Sequence, residues 1–574
     1  MSNKANNKII RLRINDKDIA CRVGSTILEV ALANGINIPH LCHHPDFPPK
    51  ANCRVCVVEI KGKERLVTAC STLVAEGMEV FTNSPKVARL RKLNLEFIFA
   101  EHIEKCATCV WQKVCPLLRL AREHKILITT FQDRKGTREI YKFANAVEID
   151  GTQCIDCRNC LDACSRLQKI NFLELSGKGI QQEVVPTTKP EIDCIYCGQC
   201  ALHCPVSAAQ EQSDWEKVEE ALKRKDKILV AQILPSVQFS IGEYFNASFS
   251  AQTMGQLAAA LRKLGFQYVF DGGLAVDLMY LAEARQLHHR LNTLSRKAPK
   301  PLLHSSCPAW VKYIEFYHPN LIPHLSPIRS PHIIGGGIIK TYWAQVVGAN
   351  PRQIEVVSIT PCTAHKYEAT RRELLVEGNY PVDYVLTVRE LAWLLHRRHL
   401  DFPTISAEEL DSPFNEVSGA GILYGVSGGT TEGVWRFLPH LLCRGRLCRE
   451  QIDFEELRAR KGIQESTLEV RERKIRAAVV SGIGNIKDIW TKLKEYDYIE
   501  VMACPDGCVG GGGQPFPTTQ VHRQKRAQAI YEQDNSARIR RPQENKHAQD
   551  VLTWLEENQK EMPVLYTEFK KFIK

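Results

Sequence analysis

The spacing of hydrophobic and polar positions changes several times along the chain. Between residues 8 and 83 it alternates in steps of two. Ile9-Ile10-Arg11-Leu12-Arg13-Ile14 and Ile19-Ala20-Cys21-Arg22-Val23 flank the polar run Asn15-Asp16-Lys17-Asp18. Alternation on both sides of a polar turn predicts a hairpin. Ser25-Thr26 then opens a helical stretch, ILEVALANG, ending at Gly35, and two further strands follow, RVCVVEI and RLVTAC. Over 84–125 the spacing becomes helical: Ser84-Pro85 supplies a cap and first turn, and VARLRKLNLEFIFAEHI carries the apolar stripe. Residues 213–227 read as a charged helix and a boundary. Ile228 to Val237, interrupted by Gln232 and Pro235, reads as a buried strand. From there strands and helices alternate, with Gly-rich turns predicted at 272–273, 335–337, 425–429 and 510–513, which suits a large α/β domain. The segment 518–574 is polar and charged, with a helix predicted near Asp550–Asn558.

A chain of 574 residues is too long for one core, and roughly three to five domains are expected. At 44% hydrophobic and 25% charged residues it has a globular composition rather than a disordered one. No apolar run reaches the ~20 residues of a membrane span. The N-terminal stretch lacks an apolar signal region, so a cytoplasmic location is expected. A formal net charge of +11 is either an ordinary solvated basic surface or a docking face for acidic partners. No nucleic-acid fold signature accompanies it, so an acidic electron carrier such as ferredoxin or flavodoxin is the favoured partner.

The 22 cysteines change the picture most. Tight CxxC runs in a large chain without a visible signal favour metal over disulfides. Cys42, Cys53, Cys56 and Cys70 sit on a hairpin–helix–strand segment compatible with a β-grasp ferredoxin, so a 2Fe-2S cluster is expected, with structural zinc as the alternative. Cys21 falls mid-strand and is expected to be a buried core residue. His102, Cys106, Cys109 and Cys115 offer one imidazole and three thiolates; taken alone the set suits zinc or a 4Fe-4S cluster. Its place between two cluster-bearing segments favours the cluster. Neutral imidazole in place of a thiolate would raise its potential and suit an electron entry point.

Two CxxCxxCxxxC units follow, 40 residues apart: Cys154, Cys157, Cys160 and Cys164, then Cys194, Cys197, Cys200 and Cys204, with Pro205 after the last. They resemble a bacterial two-cluster ferredoxin, in which the fourth cysteine of each run crosses to the other cluster. Cys154, Cys157, Cys160 and Cys204 are therefore assigned to one 4Fe-4S cluster; Cys164, Cys194, Cys197 and Cys200 go to the second. Three more segments place cysteine at Pro- or Gly-rich turns: HSSCPAW (304–310), TPCTAHKYE (360–368) and EVMACPDGCVGGGGQP (500–515).

These three segments resemble the signature motifs of FeFe hydrogenases. KTYW (340–343), SGAGILYGVSGG (418–429) and the order of the preceding domains add to the resemblance, which spans roughly 8–545. It implies a multi-domain α/β and α+β fold. The parts would be a β-grasp 2Fe-2S domain (1–84), a small helical His/Cys cluster domain (85–140), a two-4Fe-4S ferredoxin domain (141–212) and a large α/β catalytic domain (213–574). It also implies the cofactors: one 2Fe-2S cluster, three 4Fe-4S clusters and an H-cluster, a 4Fe-4S unit joined to a two-iron unit with CO, cyanide and a bridging dithiolate. Cys307, Cys362, Cys504 and Cys508 match its ligands, with Cys508 as the bridge. The implied reaction is reversible reduction of protons to H2, and the implied partners include H-cluster maturation proteins, with room for other redox subunits. Cys443 and Cys448 match no motif and are expected to be packing residues.

The departures from the family pattern cluster around that site. The first motif usually reads TSCCPxW, and Ser306 replaces the thiol that passes protons. A hydroxyl is far less acidic than a thiol, whose pKa is about 8.5, so it should relay poorly. Glu283 and Ser326 fall on relay positions, while Gln286 replaces a second carboxylate. In the second motif, usually MPCxxKxxE, Thr360 replaces Met and His365 replaces the cyanide-contacting lysine, with Lys366 beside it. His332 stands where glutamine is common. Ser236, Met502 and Glu368 are retained. The changes leave three readings: a slow or biased hydrogenase, a hydrogen or redox sensor, and an electron-transfer subunit without H2 chemistry.

Overall fold

The computed structural model describes residues 8–572 apart from 101, 103–105, 128–130, 134, 248–252, 294–298, 445–450 and 461. The N-terminal unit is a five-stranded sheet. Ile9–Ile14 pairs antiparallel with Lys17–Arg22 and parallel with Glu79–Phe81, which continues to Val57–Ile60 and Val67–Thr68. Strand alternation sets its inner face: Ile10, Leu12 and Ile14 are buried, while Ile9, Arg11 and Arg13 face out. The helix Ile27–Ala33 crosses this face, fixed at its start by a reciprocal cap between Thr26 and Glu29.

The expected helical stretch over 84–125 divides into Pro85–Ala100 and Pro116–Glu123, with the cysteine-bearing turns between them. A three-stranded sheet of Ile140–Phe143, Val147–Asp150 and Ala209–Glu211 and a hairpin of Leu173–Ser176 with Glu183–Pro186 frame the paired cysteine runs. The charged boundary helix is short, Trp215–Ala221.

The large unit holds two four-stranded sheets. One is fully parallel, in the order Tyr268–Asp271, Ile228–Ile233, Ile354–Thr360, Tyr384–Thr387. In the other, Leu302–Leu303, Tyr498–Met502 and Arg473–Ser481 run parallel, and Ile463–Val470 closes the edge antiparallel. Ile228–Ile233 ends before Pro235, which opens a 3-10 turn through Val237, so the expected strand stops early because proline cannot extend a ladder. Each signature cysteine segment leaves the carboxyl end of a strand: Leu303 leads to Cys307, Thr360 to Cys362 and Met502 to Cys504. Ligand sites in open α/β sheets collect at such ends.

Other expectations are corrected. Gly335–Gly337 lie inside the helix Pro331–Ile338 rather than in a turn. Glycine is required there by close approach: a Cβ on Gly336 would lie 2.2 Å from the Pro381 carbonyl oxygen, and one on Gly335 2.3 Å from Gln232 Oε1. The polar C-terminal segment carries a 17-residue helix, Gln520–Ser536, as well as Lys546–Glu557. Cys21 is half-buried rather than a core residue. Cys443 does sit as a packing residue, fully buried in the core of the large unit. Cys448 lies outside the described residues.

Candidate metal centres and active site

The structure brings the cysteines together in five groups. Cys42, Cys53, Cys56 and Cys70 are all buried. A hydrogen bond with Cys42 and then burial push the Cys53 thiol up, and Cys70 and burial do the same to Cys56. Four thiols crowded this way cannot all ionise without a compensating cation.

His102, Cys106, Cys109 and Cys115 line one cavity. The His102 Nδ1 lies 2.6 Å from the Gln153 carbonyl oxygen, and only a protonated nitrogen can donate to it. That bond fixes the tautomer and leaves Nε2 as a free lone pair, the state a metal ligand needs.

Chain reversal in the ferredoxin-like unit carries Cys204 back to the first run. Burial raises the Cys157 thiol, and the charges nearest it belong to Cys204, Cys160 and Cys154. Cys200 is raised by burial and then by Cys197, Cys194 and Cys164. Backbone N–H groups aim at these sulfurs, with Phe172 N 3.2 Å from Cys164 and Ala209 N 3.4 Å from Cys204. Such donors stabilise thiolates that carry iron.

These groups adjoin one another. Lys50 joins the N-terminal unit to the first cysteine run through Asn159 at 2.9 Å and Asp162 at 2.6 Å. Close to Cys42 and Cys204, the rings of His44 and His203 meet at 4.5 Å. At the other end, Gly198 and Gly512 pack backbone to backbone, so that a Cβ on Gly512 would sit 2.4 Å from the Cys197 carbonyl oxygen. The Cys504 sulfur lies 4.0 Å from that same oxygen.

The fifth group is Cys307, Cys362, Cys504 and Cys508, which line one pocket with Ser306, His365, Tyr424, Met502, Gly507 and Gly511. Burial pushes Cys508 up to about 12 and Cys362 and Cys504 well above the usual thiol range, with the neighbouring cysteines adding to each. Burial raises the Cys307 thiol as well, offset in part by the backbone N–H groups of Ala503, Trp310 and Ala309. Four half-buried thiols facing one pocket fit an iron–sulfur group bound there.

The surrounding polar residues form two hydrogen-bonded sets. In the first, Thr360 Oγ1 meets His365 Nδ1 at 2.7 Å, and the His365 ring stacks on His332 at 4.0 Å. His332 Nε2 is 2.7 Å from Glu368, which also accepts from Ser330 at 2.8 Å. Burial and then His332 push His365 well below the usual imidazole range, and burial takes His332 to about 3. His365 is therefore held in its neutral form. Lys366 faces away: its Nζ is held by Val385 O at 2.6 Å, Glu390 at 3.1 Å and Asp214 at 3.2 Å.

In the second set, Ser326 donates to Glu283, Glu283 Oε1 lies 3.0 Å from His304 Nδ1, and His304 Nε2 lies 2.5 Å from Ser306 Oγ. Sequence reasoning missed His304. Its signal was available: residues i and i+2 of an extended segment share a face, which puts His304 beside Ser306. Tyr424 was also missed; it lines the pocket and reaches the Ser306 carbonyl at 3.5 Å. Ser236 is buried near the site, with its Cβ 2.9 Å from where a Cβ on Gly425 would stand.

The family description "Iron only hydrogenase large subunit, C-terminal domain" matches residues 227–512. A 2Fe-2S iron-sulfur cluster binding domain matches 7–85 and a 4Fe-4S dicluster domain matches 153–208. The chain belongs to the iron-only (FeFe) hydrogenase family, in a form with N-terminal iron–sulfur domains. It is 34% identical over 552 residues to the NADP-reducing hydrogenase subunit HndD of Solidesulfovibrio fructosivorans, covering 94% of both chains. It is 34% identical over 535 residues to iron hydrogenase 1 of Clostridium pasteurianum, covering 91% of this chain and 92% of that one. The structure of a single-residue variant of the apo [FeFe]-hydrogenase HydA1 from Chlamydomonas reinhardtii aligns with TM-score 0.55 and 31% identity over 62% of this chain and 99% of that chain. At greater distance, Protein NAR1 of Arabidopsis thaliana is 28% identical over 363 residues, 59% of this chain and 76% of that one. Among the described residues no helix is long and apolar enough to cross a membrane.

Proposed function

We propose that the protein interconverts protons, electrons and H2 at an H-cluster held by Cys307, Cys362, Cys504 and Cys508. The supporting observation is the convergence of these four half-buried cysteines, from three distant segments, on one pocket beside Cys197. When bound, the two-iron part of the cluster supplies the open iron position at which H2 is made or split. The chain's own residues do the rest. Met502 and Tyr424 exclude water from the pocket, His365 donates a neutral hydrogen bond into it, and Ser236 packs against Gly425 behind it. Ser306 stands at the proton end.

Electrons would pass along the adjoining groups. The proposed units are 1–84 with a 2Fe-2S cluster on Cys42, Cys53, Cys56 and Cys70; 85–140 with a 4Fe-4S cluster on His102, Cys106, Cys109 and Cys115; and 141–212 with the two crossed 4Fe-4S clusters. The remainder, 213–574, would be the catalytic domain. Both N-terminal groups adjoin the Cys154–Cys204 set, so electrons entering at either converge there and leave through Cys197 toward Cys504. The basic surface suits an acidic ferredoxin or flavodoxin in the cytoplasm.

The test is infrared spectroscopy and an H2 assay on full-length protein supplied with the complete two-iron unit. CO and cyanide bands with H2 turnover are expected. Absent bands overturn cofactor binding; bands without turnover overturn the enzyme reading. A sensor reading is favoured by Ser306, because a weaker acid at the proton position slows turnover; Ser306→Cys should then raise the rate at least tenfold.

A further inference from the structure

The proton position that lost its thiol is not isolated. Ser306 Oγ meets His304 Nε2 at 2.5 Å, His304 Nδ1 meets Glu283 Oε1 at 3.0 Å, and Glu283 Oε2 accepts from Ser326. None of the four residues is more than 1% exposed. Three different elements supply them: the helix Gly273–Asn292, the extended segment after Leu303, and the turn at Ser326. That segment is held by strand pairing through Leu303 to Ile499 and by bonds from His304 N to Ile499 O at 2.9 Å and from Trp310 Nε1 to His304 O at 3.0 Å. The backbone at His304 is therefore fixed, and its imidazole presents one nitrogen to each neighbour.

We propose that His304 is a proton-relay residue, bridging Glu283 and Ser306 in place of the thiol step that this chain lacks. This rests on the hydrogenase reading above. A hydroxyl is a poor acid, but it need not ionise if a neighbouring base supplies one proton as another leaves. Toward the pocket, Glu283 gives its carboxyl proton to His304 Nδ1, the Nε2–H proton passes to Ser306 Oγ, and the Ser306 O–H proton leaves into the pocket. One proton enters at Nδ1 and one leaves at Nε2, so the ring ends as the other neutral tautomer and Glu283 as the carboxylate; a turn of the ring and a new proton taken up by Glu283 restore the starting state. H2 oxidation runs the same transfers backward. Ser326 keeps the Glu283 carboxyl turned toward the imidazole.

Two charged groups near the ring are bound elsewhere, while the Tyr498 hydroxyl, buried near Glu283, is not. Glu500 is bound by Gly428 N at 2.8 Å and by Thr431 N and Oγ1 at 2.7 Å each. Arg290 donates to the carbonyls of Pro299, His324 and Leu325. The Tyr498 ring lies 6.3 Å from His304.

Two measurements test the proposal. In full-length protein labelled with 15N-histidine and carrying its iron–sulfur clusters without the two-iron unit, His304 is assigned by its loss in His304→Gln. Glu283→Gln should shift both ring nitrogens, and Ser306→Ala should shift mainly Nε2. Unchanged ring nitrogens in both variants overturn the bridge, whatever the activity proves to be. In protein carrying the complete two-iron unit, His304→Gln and Glu283→Gln should each lower H2 turnover about 100-fold, with CO and cyanide bands retained. The double variant should be no slower than the slower single, as expected for one path. Turnover within twofold of wild type in either variant overturns the relay. Wild-type protein without CO and cyanide bands overturns the hydrogenase reading instead, and the nitrogen shifts still decide the bridge.

Discussion

Arg389 ties the electron-delivering unit to the loop that carries Cys508, and removing it should loosen both. Its guanidinium binds Glu211 at 2.5 Å and 3.2 Å, the Gly512 carbonyl at 2.7 Å and the Gln514 carbonyl at 2.6 Å. Arg389 and Glu211 are each 1% exposed. Burial alone would raise the Glu211 carboxyl, yet Arg389 and its hydrogen bonds hold it below the usual glutamate range. In Arg389→Met the carboxylate stays buried with Thr387 as its remaining side-chain partner. Removing one member of a buried pair costs about 3–5 kcal/mol, and two carbonyls also lose charged donors. An expected loss of about 4 kcal/mol should appear in urea unfolding of the full-length protein, followed by tryptophan fluorescence. Trp111 lies 5.5 Å from the guanidinium and reports locally. The pH dependence fixes the sign. In the wild type the lowered Glu211 contributes stability above its unfolded pKa that is lost as pH falls through the folded value. In the variant the unpaired carboxyl is raised, so the deficit should shrink as pH falls toward the unfolded value. Glu211→Gln with Arg389→Met should recover at least half of the loss. A single variant within ~1 kcal/mol of wild type, or a deficit that grows in acid, would refute the reasoning.

Asp271 is a buried carboxyl raised to about 7, chiefly by burial. Between its unfolded and folded pKa values the native state holds the extra proton, so stability falls as pH rises through that window. Asp271→Asn should raise stability at pH 8 by about 2 kcal/mol and change little below pH ~4, read as the shift in melting temperature across pH. Gly336→Ala places a Cβ against the Pro381 carbonyl; it should lower stability by at least ~2 kcal/mol, measured by denaturant titration. His102→Ala should lower bound iron and abolish one reduced-cluster signal in electron paramagnetic resonance while leaving the other cluster signals; an unchanged spectrum would remove His102 from the ligand set.

The sequence alone determined the class of chemistry, because cysteine spacing is local. The CxxC runs, the paired ferredoxin units and the Pro- and Gly-rich cysteine turns are short-range patterns, and so are the N-terminal hairpin and the start of the helix after it at Ser25-Thr26. Sequence also exposed Ser306 as the anomaly in the first motif. Tertiary packing decided what no spacing encodes. Gly335–Gly337 read as a turn because glycine is ambiguous, and only the approach of Pro381 and Gln232 explains them inside a helix. Lys366 adjoins His365 in sequence, but Asp214, Glu390 and Val385 hold its amine away. Glu283 is 21 residues from His304 and Ser326 is 43 from Glu283, separations that no local motif spans. A long helix, a strand end and a turn had to meet before Ser306, a deficit in the sequence, became the end of a continuous hydrogen-bonded chain.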